Sequence, residues 1–378
     1  MSKLSCVIKL GETPLHLYQI LSGFKMLKQN SIIDLRVDKL KNQDNNLLPY
    51  NMIEVIINNK YRIIYDVNDG YDNLVIHGNE NYVDFMNRIL TKVDFYFKRS
   101  YSTKYNLTLV DKHKIYPLGL NYMVTVPGNV AHNPNPHDPN KEKFKKLIRK
   151  IPFSQYYNGL YYPNSFEDCP IQDIDPKILF MARLWDTNGD GNLQLSNQKK
   201  DERAFINQFR VNCIRMCKKE FGSGFFGGIS PTKFSVENYP DVVIHDTKIT
   251  KRNNYIKKVK ESSICIASMG LHESIGWKFA EYVAASKAIV TETLQYELPG
   301  DIEEGKNYLA FKSPEECVEK IYMLKNDNEF RYQMMLNNFN YYHKFVRPDQ
   351  LVLNSLITVI KEGGKSNEAN FNNLYSYV

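Results

Sequence analysis

The chain has 378 residues, 43% hydrophobic and 24% charged, which allows two domains with cores of their own and excludes a disordered or fibrous chain. A net charge of +7 permits anionic partners such as nucleotides or membrane surfaces and does not demand nucleic acid. No run approaches roughly 18 apolar residues, so no membrane-spanning helix is expected, and the N-terminal stretch reads as a first strand rather than a leader. Six cysteines scattered over the chain argue against a disulfide framework and for a reduced, cytoplasmic protein.

In chain order, residues 6–10 form an apolar strand ending at Gly11. Residues 15–27 then carry helical periodicity. Segments 53–57 and 61–65 flank Asn58-Asn59-Lys60, a hairpin signal. Short strands follow at 74–77, 94–97 and 114–118. Between about 130 and 170 the pattern fails in a stretch rich in Asn, Pro and His, and a domain boundary is placed there. Beyond it, strands at 178–184, 225–229, 242–245, 264–268, 288–291 and 308–311 alternate with helices at 199–220, 252–261, 275–286 and 313–325. Ser313-Pro314-Glu315-Glu316 is a helix start with an N-cap serine, proline at the first helical position and carboxylates in the first turn. Such alternation predicts α/β architecture with parallel, doubly wound sheets. Two more helices, 328–343 and 349–362, close the fold. The expected division is 1–170, 171–345 and a C-terminal helix and tail, 346–378.

The segment 263–290 carries chemistry. It reads strand, loop, helix, strand, and in parallel α/β sheets ligands bind at the carboxyl ends of strands. Ser274 is the expected N-cap. The helix start at Ile275, Gly276 and Trp277 is suited to a phosphate, and Gly276 removes a side chain where the phosphate comes close. Glu281 lies about two turns into the helix, roughly 8–10 Å along its axis, within reach of a nucleoside ribose. Glu273, before the helix, would face sugar hydroxyls.

This segment resembles the E-x7-E signature of GT-B glycosyltransferases of the "group 1", retaining-type class. Glu273, Gly276, Glu281, Ala284 and Lys287-Ala288-Ile289-Val290 match that pattern in order and spacing. Glu304–Tyr308 is similar to the family's late strand-entry loop, and 178–184 resembles its strand ending in an arginine, here Arg183. The resemblance covers about 178–345; the N-terminal half agrees in architecture only. It implies two Rossmann-like domains facing a cleft, with a C-terminal helix able to cross back. It also implies a nucleotide-diphosphate sugar donor, a glycan, lipid-linked or protein acceptor, retention of anomeric configuration and no obligatory metal. Arg183 and Glu273 would be catalytic, and Ile275, Gly276, Trp277, Glu281 and Lys199 would bind the donor. The chain departs from the family at position 188, where Asn188 replaces the usual lysine. Lys199, Lys200 and Arg203 are the candidates for that second charge. The alternative is a non-catalytic GT-B-like protein that binds a nucleotide or glycan.

Other features have blander readings beside functional ones. Residues 186–197 fit the first six positions of a calcium loop but carry Asn197 where a bidentate glutamate is needed, so a polar turn is expected. The basic stretch 141–151 has apolar residues at helical spacing and suits either peripheral contact with an anionic membrane or an ordinary surface helix. Cys213 and Cys217 share a helix face without a second ligand pair. On the acceptor side, Gly11, Thr13, Asp69, His77 and Lys98 follow strands of the first half and are candidates to face an acceptor.

Overall fold

The computed structural model describes residues 3–11, 13–40, 48–71, 81–132, 161–189 and 195–364. The expected strand at 74–77, with His77, and the basic stretch 141–151 lie outside the described residues. The chain divides into two compact units. The first comprises Met1–Pro163, Tyr296–Gly300 and His343–Val378, and the second Asn164–Gln295 and Asp301–Tyr342.

The first unit is built on a six-stranded sheet in the order β2-β1-β3-β4-β5-β6. Its strands are β1 (Leu4–Leu10), β2 (Ile33–Lys39), β3 (Met52–Ile57), β4 (Tyr61–Asp66), β5 (Phe95–Lys98) and β6 (Ile115–Pro117). β3 runs antiparallel to both β1 and β4, and the other pairings are parallel. The sheet is therefore mixed rather than purely parallel. The tight connection at Asn58-Asn59, both at positive φ, forces the reversal.

Helices α1 (Tyr18–Gln29) and α2 (Tyr82–Leu90) pack on this sheet, α2 capped by the Asn81 side chain. The last helix of the chain also belongs to this unit and packs along α1. Gly23 makes that approach possible, since a Cβ there would lie 2.1 Å from the Pro348 carbonyl oxygen. Leu351, Val352, Leu356 and Val359 of that helix join Phe24, Val55 and Ile63 in one core.

The second unit holds a parallel sheet of β7 (Ile178–Ala182), β8 (Phe225–Ile229), β9 (Ile264–Ala267), β10 (Ala288–Glu292) and β11 (Leu309–Phe311). The order is β11-β10-β9-β7-β8. A single parallel bridge from Ile229 to Val243 sits beside β8, where a full strand over 242–245 is expected. Counted with that bridge, the order becomes 3-2-1-4-5-6, the doubly wound arrangement whose direction reverses between β7 and β9.

The helices of this unit are α3 (Asn197–Phe221), α4 (Lys233–Asn238), α5 (Arg252–Lys260), α6 (Trp277–Ala284), α7 (Pro314–Asn326) and α8 (Asn328–Tyr341). α9 (Pro348–Gly363) is the terminal helix of the first unit. α7 starts as expected, with the Ser313 side chain accepting from the Glu316 amide at 3.2 Å. Cys213, Cys217 and Cys317 are free thiols buried in the second core, and no disulfide forms among the six cysteines. Among the described residues, no helix is long and apolar enough to cross a membrane.

Candidate functional site

The reversal between β7 and β9 is where a ligand crevice is expected. Helix α3 builds it. Three polar side chains, Arg203, Asn207 and Arg210, recur at helical spacing on its buried face. Each holds the loop that leaves β7. Arg203 donates to the Asp186 carbonyl at 2.6 Å, and Asn207 exchanges two bonds with the Trp185 backbone at 2.9 and 2.7 Å. Arg210 donates to the Arg183 carbonyl. Arg210 also reaches the loop after β9, donating to Ser268 Oγ at 2.9 Å and to the Met269 carbonyl at 2.7 Å. Burial pulls its guanidinium down to about 10, with Glu292 opposing that pull.

The end of β10 closes the ring. Glu292 is 9% exposed, and its Oε1 accepts from the Met269 amide at 2.8 Å. Burial pushes its carboxyl above the ordinary glutamate range, and the Met269 amide and Arg210 partly offset this. The ends of β7, β9 and β10 are thus tied together by Arg210 and Glu292. Neither residue belongs to the family-like pattern.

The loop after β9 is shaped before α6 begins. The Gly270 amide donates to the Ser274 carbonyl at 2.8 Å, and the Glu202 carboxylate of α3 accepts from the His272 amide. His272 and Glu273 both sit at positive φ, 57° and 58°, unusual for residues with side chains. A Cβ on Gly270 would lie 2.6 Å from Ser274 Oγ, so that side chain would have to turn aside. Ser274 is therefore part of the turn and does not cap the helix. Gly276 is the N-cap, and α6 starts at Trp277.

A Cβ on Gly276 would meet only the Ser268 carbonyl at 3.7 Å, so the space before the helix start is open. A shallow, open hollow lies there. Its walls include Ser268, Glu273, Ile275, Gly276, Phe279 and Glu292. Glu273 is exposed on its rim.

The sequence-derived donor residues divide. Glu273, Ile275 and Gly276 line the hollow, and Trp277 opens the helix beside it. Arg183 is exposed at the end of β7, its guanidinium 5.1 Å from the Trp185 ring, with no ion pair among the described residues. Arg203 lies 5.7 Å from the same ring. Lys199 is exposed in the first turn of α3.

Glu281 is different. It is 1% exposed, and its carboxylate pairs with Arg252 of α5 and accepts from Tyr255 Oη at 2.8 Å. The sequence reading expects a ribose-facing carboxylate at this position. α6 turns this residue toward α5, and both of its oxygens are engaged within the protein.

Of the acceptor-side candidates, Gly11, Thr13 and Asp69 lie on loops leaving β1 and β4 of the first unit, and Lys98 ends β5. Lys98 is fully buried, and its ammonium pairs with Asp66 at 2.8 Å and lies 4.5 Å from the Tyr71 ring. Tyr96 Oη donates to the same Asp66 oxygen at 2.8 Å. The sequence reading expects Lys98 to meet an anionic acceptor; in the structure its charge is paired inside the core. Asp69 pairs with Arg99. His16 lies close enough to both for their charges to act on it, and burial lowers its affinity for a proton. Gly11 is exposed and Thr13 half-buried after β1.

Asp186 Oδ1 accepts from the Asn188 amide at 2.8 Å, the turn chemistry expected of that segment. Residues 190–194 of the same segment lie outside the described residues. No group of three or more His, Cys, Asp or Glu placed to hold a metal occurs among the described residues.

No family model matches this chain, and no curated protein matches it. Solved structures resemble it at a distance. The C-terminal domain of LpcC, a glycosyl transferase group 1 family protein from Francisella tularensis, is 14% identical over 48% of this chain and 95% of that one, with a TM-score of 0.33. TarM of S. aureus, in complex with Fondaparinux, alpha-GlcNAc-glycerol and UDP, is 13% identical over 77% of this chain, with a TM-score of 0.40. This chain spans about half of TarM, 50% of its length. HepE of Anabaena, in complex with UDP, is 10% identical over 94% of this chain and 99% of that one, with a TM-score of 0.38.

Proposed function

We propose that the protein is a glycosyltransferase that moves a sugar from a nucleotide-diphosphate donor to a glycan, lipid-linked or protein acceptor, with retention of configuration. The observation that carries this reading is the second unit's switch point. There an E-x7-E-like segment brings Glu273, Ile275 and Gly276 around an open hollow at a helix start. The helix start supplies partial positive charge, and the missing Cβ of Gly276 leaves room for a phosphate.

Arg183, with Lys199 and Arg203 as further sources of positive charge in place of the absent lysine at 188, neutralises the diphosphate as it departs. Negative charge grows there as the glycosidic bond breaks, so fixed cations lower the barrier. Glu273 orients the sugar from the rim, where its unusual backbone conformation holds it. Glu281 acts from behind the helix. Its pairing with Arg252 fixes α6 against α5, so its contribution to donor binding is positional. The first unit binds the acceptor.

The test is incubation of the full chain with UDP-, GDP-, ADP-, CDP- and TDP-linked sugars, following release of the nucleoside diphosphate by NMR. Release from one donor, lost in Arg183→Ala, supports the reading. No release from any of them, with or without a mixture of glycan acceptors, counts against it.

A further inference from the structure

We propose that Trp185 is a positioning residue of the donor site: its indole ring lies against the guanidiniums of Arg183 and Arg203 and holds Arg183 ready for the departing diphosphate. This rests on the nucleotide-sugar reading above. It adds a residue that the E-x7-E resemblance does not contain and that acts through another side chain.

The loop leaving β7 is fixed by α3 at three points around this side chain. Arg210 holds the Arg183 carbonyl, Asn207 exchanges two bonds with the Trp185 backbone, and Arg203 holds the Asp186 carbonyl. The indole therefore projects from a backbone tied on both sides of it. Its ring centre lies 5.1 Å from the Arg183 guanidinium and 5.7 Å from that of Arg203. Both distances fall within the roughly 6 Å over which an aromatic face attracts a cation, and tryptophan offers the strongest such face.

The two arginines differ. Arg203 is 9% exposed and anchored through the Asp186 carbonyl, so its guanidinium is fixed. Arg183 is exposed, and its guanidinium has no ion pair among the described residues. An arginine in that state samples many rotamers, and ordering it on a ligand costs entropy. The indole contact orders it beforehand, with an attraction of the same size as that cost. An aliphatic side chain at 185 would fill the space and leave Arg183 loose. The ring also gathers two like charges beside it. A diphosphate brought to Arg183 relieves their repulsion, so the arrangement that orients the cation also favours an anionic ligand. Asn188 gives this weight, since without a lysine there the direction of the remaining exposed charge decides more of the binding.

The experiment is calorimetric titration of the full chain with UDP, GDP, ADP, CDP and TDP, repeated with Trp185→Leu, Trp185→Phe, Arg183→Ala and the double variant Trp185→Leu/Arg183→Ala. Thermal unfolding of each variant confirms folding. For the diphosphate that binds the parent protein, Trp185→Leu should lower affinity about threefold or more. Trp185→Phe keeps an aromatic face and should lose less. In the Arg183→Ala background the same Trp185→Leu change should have no further effect, because the indole acts only through that guanidinium. A loss of equal size with and without Arg183, no loss in Trp185→Leu, or equal loss in Trp185→Phe and Trp185→Leu would overturn the positioning role and leave the nucleotide reading intact. The chain has two tryptophans, so Trp277→Phe leaves Trp185 as the single fluorophore and carries the test if Trp185→Leu fails to fold. Saturating diphosphate should then shift the Trp185 emission, and the shift should disappear when Arg183→Ala is added. A shift that persists without Arg183, or no shift at all, would overturn the role. If none of the five diphosphates binds the parent protein, the nucleotide reading fails and the positioning role falls with it.

Discussion

Glu281→Ala separates a structural carboxylate from a ligand-binding one. In the folded protein Glu281 is 1% exposed and holds both Arg252 and Tyr255. Removing it takes a carboxylate from the Arg252 guanidinium and the acceptor from the Tyr255 phenol. Breaking a buried pair in this way costs about 3–5 kcal/mol. The Arg252 side chain is 26% exposed, so water reaches its guanidinium and the value falls toward the lower end, about 3 kcal/mol. At about 2–4 °C per kcal/mol for a unit of this size, melting should drop by about 6–12 °C. A double-mutant cycle with Arg252→Ala should return a coupling of about 1.5 kcal/mol or more, because the two residues act as one contact. Thermal and urea unfolding provide the stability terms, and calorimetry with nucleoside diphosphates provides affinity. A variant that melts with the parent protein yet loses nucleotide affinity would refute the reasoning and restore Glu281 as a direct ribose ligand.

Gly276→Ala should fold with stability within about 1 kcal/mol of the parent, since its Cβ finds only an ordinary contact at 3.7 Å, while nucleoside diphosphate affinity drops about tenfold by calorimetry. Unchanged affinity would show that no phosphate approaches that point. Arg183→Ala should lower turnover more than donor affinity in steady-state and binding assays, because charge on the leaving diphosphate grows in the transition state. Glu292→Gln should alter the pH dependence of stability. A carboxyl raised by burial keeps its proton when folded after the unfolded chain has released it. Stability therefore falls as pH rises from the ordinary glutamate range through the raised value, and urea unfolding across that range should show a shallower slope in the variant.

The regular elements of the second unit were legible because short apolar strands alternate with capped, periodic helices. The expected strands 225–229, 264–268 and 288–291 fall on β8, β9 and β10 within a residue at either end. β2 was not read, because Asp34, Arg36 and Asp38 interrupt its apolar residues. The strand lies at the sheet edge with one face toward water, and only the alternation of Ile33, Leu35 and Val37 signals it. The N-cap was misplaced by two residues because a local rule favours serine, while the Gly270–Ser274 turn uses Ser274 elsewhere.

The largest gap concerns α3. Arg203, Asn207 and Arg210 look like solvated residues in a list, yet they occupy a buried face at helical spacing between Ile206, Val211 and Ile214. Their partners, apart from Ser268 Oγ, are backbone carbonyls and amides of loops distant in sequence, which no side-chain pattern encodes. Glu281 shows the converse. Its spacing from Glu273 matches a known signature, but its orientation depends on Arg252 and Tyr255 of another helix.

The most direct measurement is calorimetric titration of the full chain with UDP, GDP, ADP, CDP and TDP, each repeated with Gly276→Ala and Arg183→Ala. Saturable binding of at least one diphosphate at a single site per chain, weakened by Gly276→Ala, is the predicted result. Absence of binding for all five at millimolar concentration, or binding indifferent to both substitutions, would contradict the assignment of the switch point of the second unit as a nucleotide-sugar site.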